Sequence, residues 1–323
     1  MKALKHLILL VMSAYTATAC AQKTELSAKT KTQIVENIIQ DLNDIYVFPD
    51  TAGKMGNHIQ HQLKSGAYDT INTPSIFASQ LTADLRSVYA DGHLSIEYSQ
   101  SSATADSKEN PEAAKARRLK FRKTVNFGFE KAEVLPNNIG YLKINGFFSP
   151  DSATKAMIKT ALQFISNSNA LIIDLRDNMG GDPGTVICLC SYFFANKTHL
   201  NDFYNRKEHS ITSYWTTPDT LLNVLKSMPV YILTSHRTFS AGEELTYDLQ
   251  SQKRATVIGE ITGGGAHPVL PNDAGHGFSA NIPFARAINP ITKTNWERTG
   301  VKPDIAAPAD SALDVALKHI ESK

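Results

Sequence analysis

Cysteine is scarce in this chain, with three in 323 residues. Cys20 lies in the N-terminal segment, and Cys188 and Cys190 are two apart, a spacing at which helical neighbours do not face each other. A disulfide framework is therefore not expected. Metal-ligand clusters are also missing: the ten histidines are scattered and no cysteine pair has zinc spacing, so neither metal nor cofactor is anticipated. No basic block is present. The formal charge is +2, and setting aside Lys2 and Lys5 leaves a nearly neutral chain, with no electrostatic reason to expect a nucleic acid partner. The N-terminal apolar run is too short to span a bilayer. What is present is ordinary for a chain with a real core: 42% hydrophobic and 20% charged residues, over a length that suits one sizeable domain and a smaller one.

The first residues read as a targeting segment. Lys2 and Lys5 make a positive start, Leu7 to Met12 a short apolar stretch, and Ala17-Thr18-Ala19 the small residues at a cleavage site. A signal peptide over residues 1–19 implies export, to the periplasm or the outside. Cys20 stands where a bacterial lipoprotein carries its lipid, which makes a lipid anchor one outcome and ordinary cleavage the other.

From Thr30 to Val88 apolar residues recur at helical spacing. Ile34, Ile38, Leu42 and Ile45 form one stripe, Ala52, Met55, Ile59 and Leu63 a second, and Phe77, Leu81, Leu85 and Val88 a third. Thr73 and Pro74 supply an N-cap and first position for the third helix. A small helical bundle is expected over 24–92, each helix needing the others to bury its stripe. Residues 93–123 then read as a connecting strand and a polar linker, since 99–123 hold almost no large apolar residue. From 124 to 323 the period changes. Val125, Phe127 and Phe129 alternate like a half-buried strand, and Ile139 to Ile144 suggests another. The runs ALIIDL (170–175), VYILT (230–234) and ATVIG (255–259) suit strands covered on both faces. Helical patterns follow the first two runs, at 185–194 and 241–250. This order predicts an α/β domain with mostly parallel pairing and a site at the carboxyl ends of its strands.

Two segments at such ends hold chemistry. In the stretch 234–244, TSHRTFSAGEE, Ser240 falls where a strand gives way to a helix, so its oxygen meets the positive end of that helix. Capping the helix is the plain alternative role. In the stretch 174–181, DLRDNMGG, paired glycines before a helix can turn backbone N–H groups toward an anion.

These two motifs, with GEITGGGAHP (259–268) and WERTGVKPDI (296–305), resemble the superfamily of carboxy-terminal processing peptidases, tricorn core peptidases and interphotoreceptor retinoid-binding proteins. The likeness runs in order over roughly residues 120–310. It implies a crotonase-like catalytic core over 124–323, a polypeptide substrate, Ser240 as nucleophile, and oxyanion donors from the backbone of Gly181 and Ala241. The processing branch pairs its serine with a lysine in a Gly-Lys-Gly sequence. Here that stretch is Gly263 to His267 without a lysine, and Lys253 lies ~20 Å from Ser240 if the helix continues. The other branches suggest a histidine, and Asp91-Gly92-His93 resembles their motif. The resemblance therefore proposes His93 as base and Glu297 as the carboxylate that orients it, with His267 as a rival base. His236 is read as loop wall, and Glu243 and Glu244 as stabilisers of the helix start. A hydrolase of another acyl or ester substrate, or a binding protein for an apolar ligand, are the alternative functions. The sequence leaves the oligomeric state open.

Overall fold

The computed structural model describes residues 26–100, 110–218 and 222–323. The expected signal peptide, Cys20 and residues 101–109 of the polar stretch lie outside the described residues. Among the described residues no helix is long and apolar enough to cross a membrane.

Helices α1 (Ala28–Ile45), α2 (Pro49–Lys64) and α3 (Pro74–Val88) form where the apolar stripes recur. Ser27 caps α1 by accepting from the Thr30 N–H, while α2 and α3 each start on a proline, whose fixed φ suits the first turn. Ile34, Ile38, Leu42, Met55, Ile59, Phe77, Leu81 and Leu85 are fully buried. Each such side chain stabilises the fold by about 1.5–3 kcal/mol relative to exposure. The helices do not close this cluster by themselves. An antiparallel sheet of β1 (Ser95–Tyr98), β10 (Phe278–Pro283) and β9 (Val269–Gly275) lies against them. Alternate residues of β10, namely Phe278, Ala280 and Ile282, enter the same cluster. The N-terminal helices thus share a core with residues from late in the chain.

The second core is built on a six-stranded sheet ordered β12-β8-β7-β4-β3-β2. Its members are β2 (Phe129–Leu135), β3 (Ile139–Ile144), β4 (Ala170–Asp174), β7 (Val230–Thr234), β8 (Ala255–Gly259) and β12 (Ile305–Ala306). All neighbours pair in parallel except β2 and β3. Strands β4 and β7 are buried at every residue, as their unbroken apolar runs require. Helices α5 (Ser152–Phe164), α6 (Pro183–Cys190) and α7 (Ala241–Ser251) cover one face, and α8 (Ala312–Glu321) covers the other. A third, antiparallel sheet joins β11 (Ala285–Ile288), β5 (His199–Asn205) and β6 (Ser210–Trp215).

Three local expectations change. Residues Pro111–Thr124 form helix α4, with Asn110 accepting from the Glu112 N–H as cap and Pro111 at the first turn. The helix buries no residue, which is why its composition reads as a linker. The strand expected from Val125 begins only at Phe129. Asn126–Gly128 is a 3-10 turn with positive φ at Asn126 and Phe127, and it points Phe127 inward without a strand. The helix expected over 185–194 runs instead from Pro183 to Cys190. Neither Cys188 nor Cys190 takes part in a disulfide among the described residues.

Candidate active site

Two loops leave the carboxyl edge of the central sheet side by side, after β4 and after β7. Buried Asn178 fastens them together. Its side-chain amide donates to the Ile144 carbonyl at 3.0 Å, its Oδ1 accepts from the Gly180 N–H at 2.8 Å, and its carbonyl accepts from the Phe239 N–H at 2.9 Å. Ser240 follows as the residue capping α7, with φ 54° and ψ −122°. A side chain other than glycine in this left-handed region is strained, by roughly 1–3 kcal/mol. The strain turns the hydroxyl out of the strand-to-helix corner toward the cleft.

His93 reaches Ser240 from the other core. Its Nε2 lies 2.9 Å from Ser240 Oγ, across 147 residues of sequence. The ring packs on Phe239 with centroids 4.6 Å apart, and the His93 N–H donates to Asp91 Oδ1 at 3.0 Å. Gly265 must lack a side chain here, since a Cβ would lie 2.2 Å from Phe239 and 2.8 Å from His93. Burial pushes the imidazole down to about 4, against the raising influence of Asp91, so His93 is neutral and able to accept a proton near pH 7. Acceptance at Nε2 places the ring hydrogen on Nδ1, which has no protein partner among the described residues.

The two expected oxyanion donors also face the cleft. Ala241 is the first residue of α7, and its N–H has no acceptor within the helix. Gly181 forms a parallel bridge with Phe147 that uses the Gly180 carbonyl and the Asp182 N–H, which turns the Gly181 N–H away from Phe147. Gly181 has φ 135°, and a Cβ there would lie 1.9 Å from the Phe147 carbonyl oxygen, so only glycine fits. Ser240, His93, Gly181 and Ala241 line one cleft of about 340 Å³.

Glu297 and His267 sit behind His93. Glu297 Oε2 accepts from the Ala266 N–H at 2.7 Å and lies 3.5 Å from His267 Nδ1. No hydrogen bond joins Glu297 to His93, so the expected direct pairing is replaced by contact with His267. The reason is positional: His267 Nδ1 is 2.8 Å from Asp91 Oδ2 and fills the space beside that carboxylate. Tyr46 donates to the same oxygen at 3.1 Å. Burial works to raise the Asp91 carboxyl, but hydrogen bonding to His267 and its charge outweigh it and leave Asp91 low. Burial pushes Glu297 up to about 7, with Asp91 adding to the rise. Asp91, His267 and Glu297 bring three ligand-type atoms within 4.8 Å of one another. His267 Nδ1 and Asp91 Oδ2 hydrogen-bond to each other and Glu297 Oε2 accepts from Ala266, while Glu297 Oε1 is buried with no hydrogen-bond partner among the described residues. His236 is exposed and pairs with Glu260, while Lys253 lies beyond the far end of α7 from Ser240.

Glu243 does more than stabilise a helix start. Its Oε2 accepts from the Ser240 N–H at 2.9 Å and the Gly265 N–H at 2.8 Å, while Oε1 accepts from the Gly264 N–H at 2.6 Å and from the Thr262 hydroxyl. The carboxylate clamps the glycine-rich loop onto the nucleophile. Burial pushes Glu243 up to about 7, against these donated bonds, which favour the ionised form. The spacing of Ser240 and Glu243 is that of a capping box, so one of these contacts was open to sequence reading. The loop contacts were not. In Glu243→Gln one end of the amide can only donate, so it would confront N–H groups. We expect kcat to fall about 10- to 100-fold and stability by about 1–3 kcal/mol, read by steady-state kinetics and urea unfolding. Unchanged kcat would contradict the clamp.

A neutral histidine held on a strained serine, beside two inward N–H groups at the carboxyl edge of a parallel sheet, is the arrangement of nucleophilic acyl-transfer enzymes. The chain belongs to peptidase family S41: residues 138–307 match that family, and residues 16–136 match the N-terminal domain of Peptidase_S41 in eukaryotic IRBP. Carboxyl-terminal-processing peptidase 2, chloroplastic, of Arabidopsis thaliana is 28% identical over 190 residues, covering 54% of this chain and 33% of the relative. The chain thus spans about a third of that relative's length. Similar folds occur in a candidate peptidase from Parabacteroides merdae, with TM-score 0.61 and 17% identity over 90% of this chain and 96% of that one. The photosystem II D1 C-terminal processing protease gives TM-score 0.55 and 15% identity, over 87% and 93% of the two chains. These structures share the mixed α/β architecture of a central sheet with helices.

Proposed function

We propose that this chain is an exported serine peptidase that cleaves polypeptides through an acyl-enzyme on Ser240. The distance of 2.9 Å between His93 Nε2 and Ser240 Oγ is the observation that carries the proposal. His93 takes the hydroxyl proton as Oγ attacks the substrate carbonyl carbon, and the Gly181 and Ala241 N–H groups receive the developing oxyanion. The protonated His93 then gives its proton to the leaving amine. Water, activated by the same imidazole, attacks the ester and frees Ser240. Asp91 orients His93 through its backbone, and Glu297 acts one step removed by holding His267 beside Asp91. The scheme needs neither metal nor cofactor.

In this reading the central sheet and its helices are a crotonase-like core behind an N-terminal helical bundle. Residues 1–19 direct export, and the mature chain is periplasmic or secreted, or anchored through lipid on Cys20. Labelling the purified protein with a fluorophosphonate tests the central claim. We expect modification at Ser240 alone, mapped by peptide mass, and its loss in His93→Ala. A folded protein that takes no label would favour the apolar-ligand carrier, and a labelled protein that cleaves esters but no peptides would favour an esterase.

A further inference from the structure

Glu244 lies four residues after Ser240, in the first turn of α7. Its residue is only 2% exposed, yet it lines the cleft that contains Ser240, and its Oε1 has no hydrogen-bond partner among the described residues. Capping the helix does not account for it, because Glu243 already occupies the Ser240 N–H. Apart from Ser240, His93 and His267, the rest of the cleft wall is apolar, with Phe203, Pro183, Met179 and Trp296 nearest in character to a side-chain slot. A carboxyl with one unpaired oxygen in such a wall costs free energy unless a ligand supplies its partner.

The surroundings define that partner. Asp182, at the cap of α6, acts on Glu244, and Glu244 in turn acts on Asp248 of α7, Tyr214 of β6 and Cys190 of α6. Among the described residues no lysine, arginine or histidine forms an ion pair with Glu244. The charged groups that act on it are acidic, while His93 and His267 line the same cleft without pairing with it; the field of Asp182 and Asp248 favours a cation. Asn201 stands beside the carboxyl as a neutral hydrogen-bonding group.

We propose that Glu244 is a specificity-determining residue that selects lysine or arginine on the acyl side of the scissile bond. The proposal rests on Ser240 being the nucleophile. With the substrate carbonyl held at Gly181 and Ala241, the adjoining side chain enters the slot beside Ser240. The methylenes of lysine or arginine lie along the apolar wall, and the cationic head meets Glu244. Leucine would leave the carboxyl buried and unpaired, and glutamate would be repelled. Burial pushes Glu244 up to about 8 in the free protein, with Asn201 opposing and Asp182 adding to the rise. A bound cation needs the ionised form. The advantage of a basic side chain should therefore grow as pH rises through about 8, while lysine itself, near pKa ~10.4, stays charged.

The test uses fluorogenic peptides that differ only at that position: Lys, Arg, Leu or Glu. In the wild type kcat/KM for Lys or Arg should exceed that for Leu at least about tenfold, as expected for completing a buried charge pair. Glu244→Gln, nearly the same shape, should lower the Lys-to-Leu ratio at least about tenfold. A wild-type preference for Leu, or an unchanged ratio in the variant, would overturn the assignment. If Glu244→Gln does not fold, the wild-type ratio and its rise with pH decide alone. If no peptide is turned over, diphenyl phosphonates bearing Lys or Leu at the same position report capture of Ser240 directly. A simple fluorophosphonate that labels Ser240 while the two phosphonates react equally refutes the Glu244 proposal and leaves the nucleophile standing. No labelling by any of them removes the nucleophile itself.

Discussion

Ser240→Ala is expected to lower kcat by roughly 10⁴- to 10⁶-fold on any substrate the wild type cleaves, because the acyl-enzyme cannot form. Stability should fall by no more than about 1–2 kcal/mol, since the side chain loses its hydrogen bond to His93 and its share of the capping box with Glu243, while alanine keeps the same strained backbone. Ser240→Gly separates the two effects further. Glycine adopts φ 54° without penalty, so this variant should be inactive and more stable by about 1 kcal/mol. Thermal unfolding and single-turnover kinetics on the three proteins measure both quantities. Turnover in Ser240→Ala near the wild-type rate would remove the serine from the mechanism.

His93→Ala should cost about 10³- to 10⁴-fold in kcat and abolish fluorophosphonate labelling, because among the described residues no other base lies within hydrogen-bond reach of Oγ. His267→Ala should cost less, about tenfold, through loss of its hold on Asp91 and hence on the His93 backbone. The opposite ranking would make His267 the base. His93 also leaves a mark on stability. Its folded value is depressed to about 4 from 6.5, so between these values the unfolded chain binds more protons. Its contribution is intact above about pH 6.5 and is lost as pH falls toward about 4. Subtracting the stability profile of His93→Gln from that of the wild type isolates this slope, and a flat difference would contradict the buried neutral imidazole.

The parts of the fold legible in the sequence were those with one strong period. The stripes of α1 to α3 and the unbroken apolar runs of β4, β7 and β8 mark their elements because burial on a defined face leaves a pattern. Strands β9 and β10 left little trace. β9, with the sequence VLPNDAG, is mostly half-buried or exposed, and its role comes from pairing with β10 rather than from its own composition. Helix α4 was obscured for the opposite reason, since a helix without a buried face has no stripe. At the site, the ordered motifs drew attention to Ser240, His93, Gly181 and Ala241. The clamp of Glu243 on Thr262, Gly264 and Gly265, and the Tyr46–Asp91–His267 network, depend on which loops fold against each other. No local spacing carries that information.

The proposed base and nucleophile belong to different hydrophobic cores. His93 is flanked by Leu94 and Ile96 of the N-terminal cluster, and Ser240 by Ala241 and Leu245 of the sheet cluster. Neither half, folded alone, holds a working pair. Cutting power then arises as a coincidence signal, switched on only when both halves have matured and met. A chain still emerging or partly assembled would be harmless to its neighbours without needing a separate inhibitor.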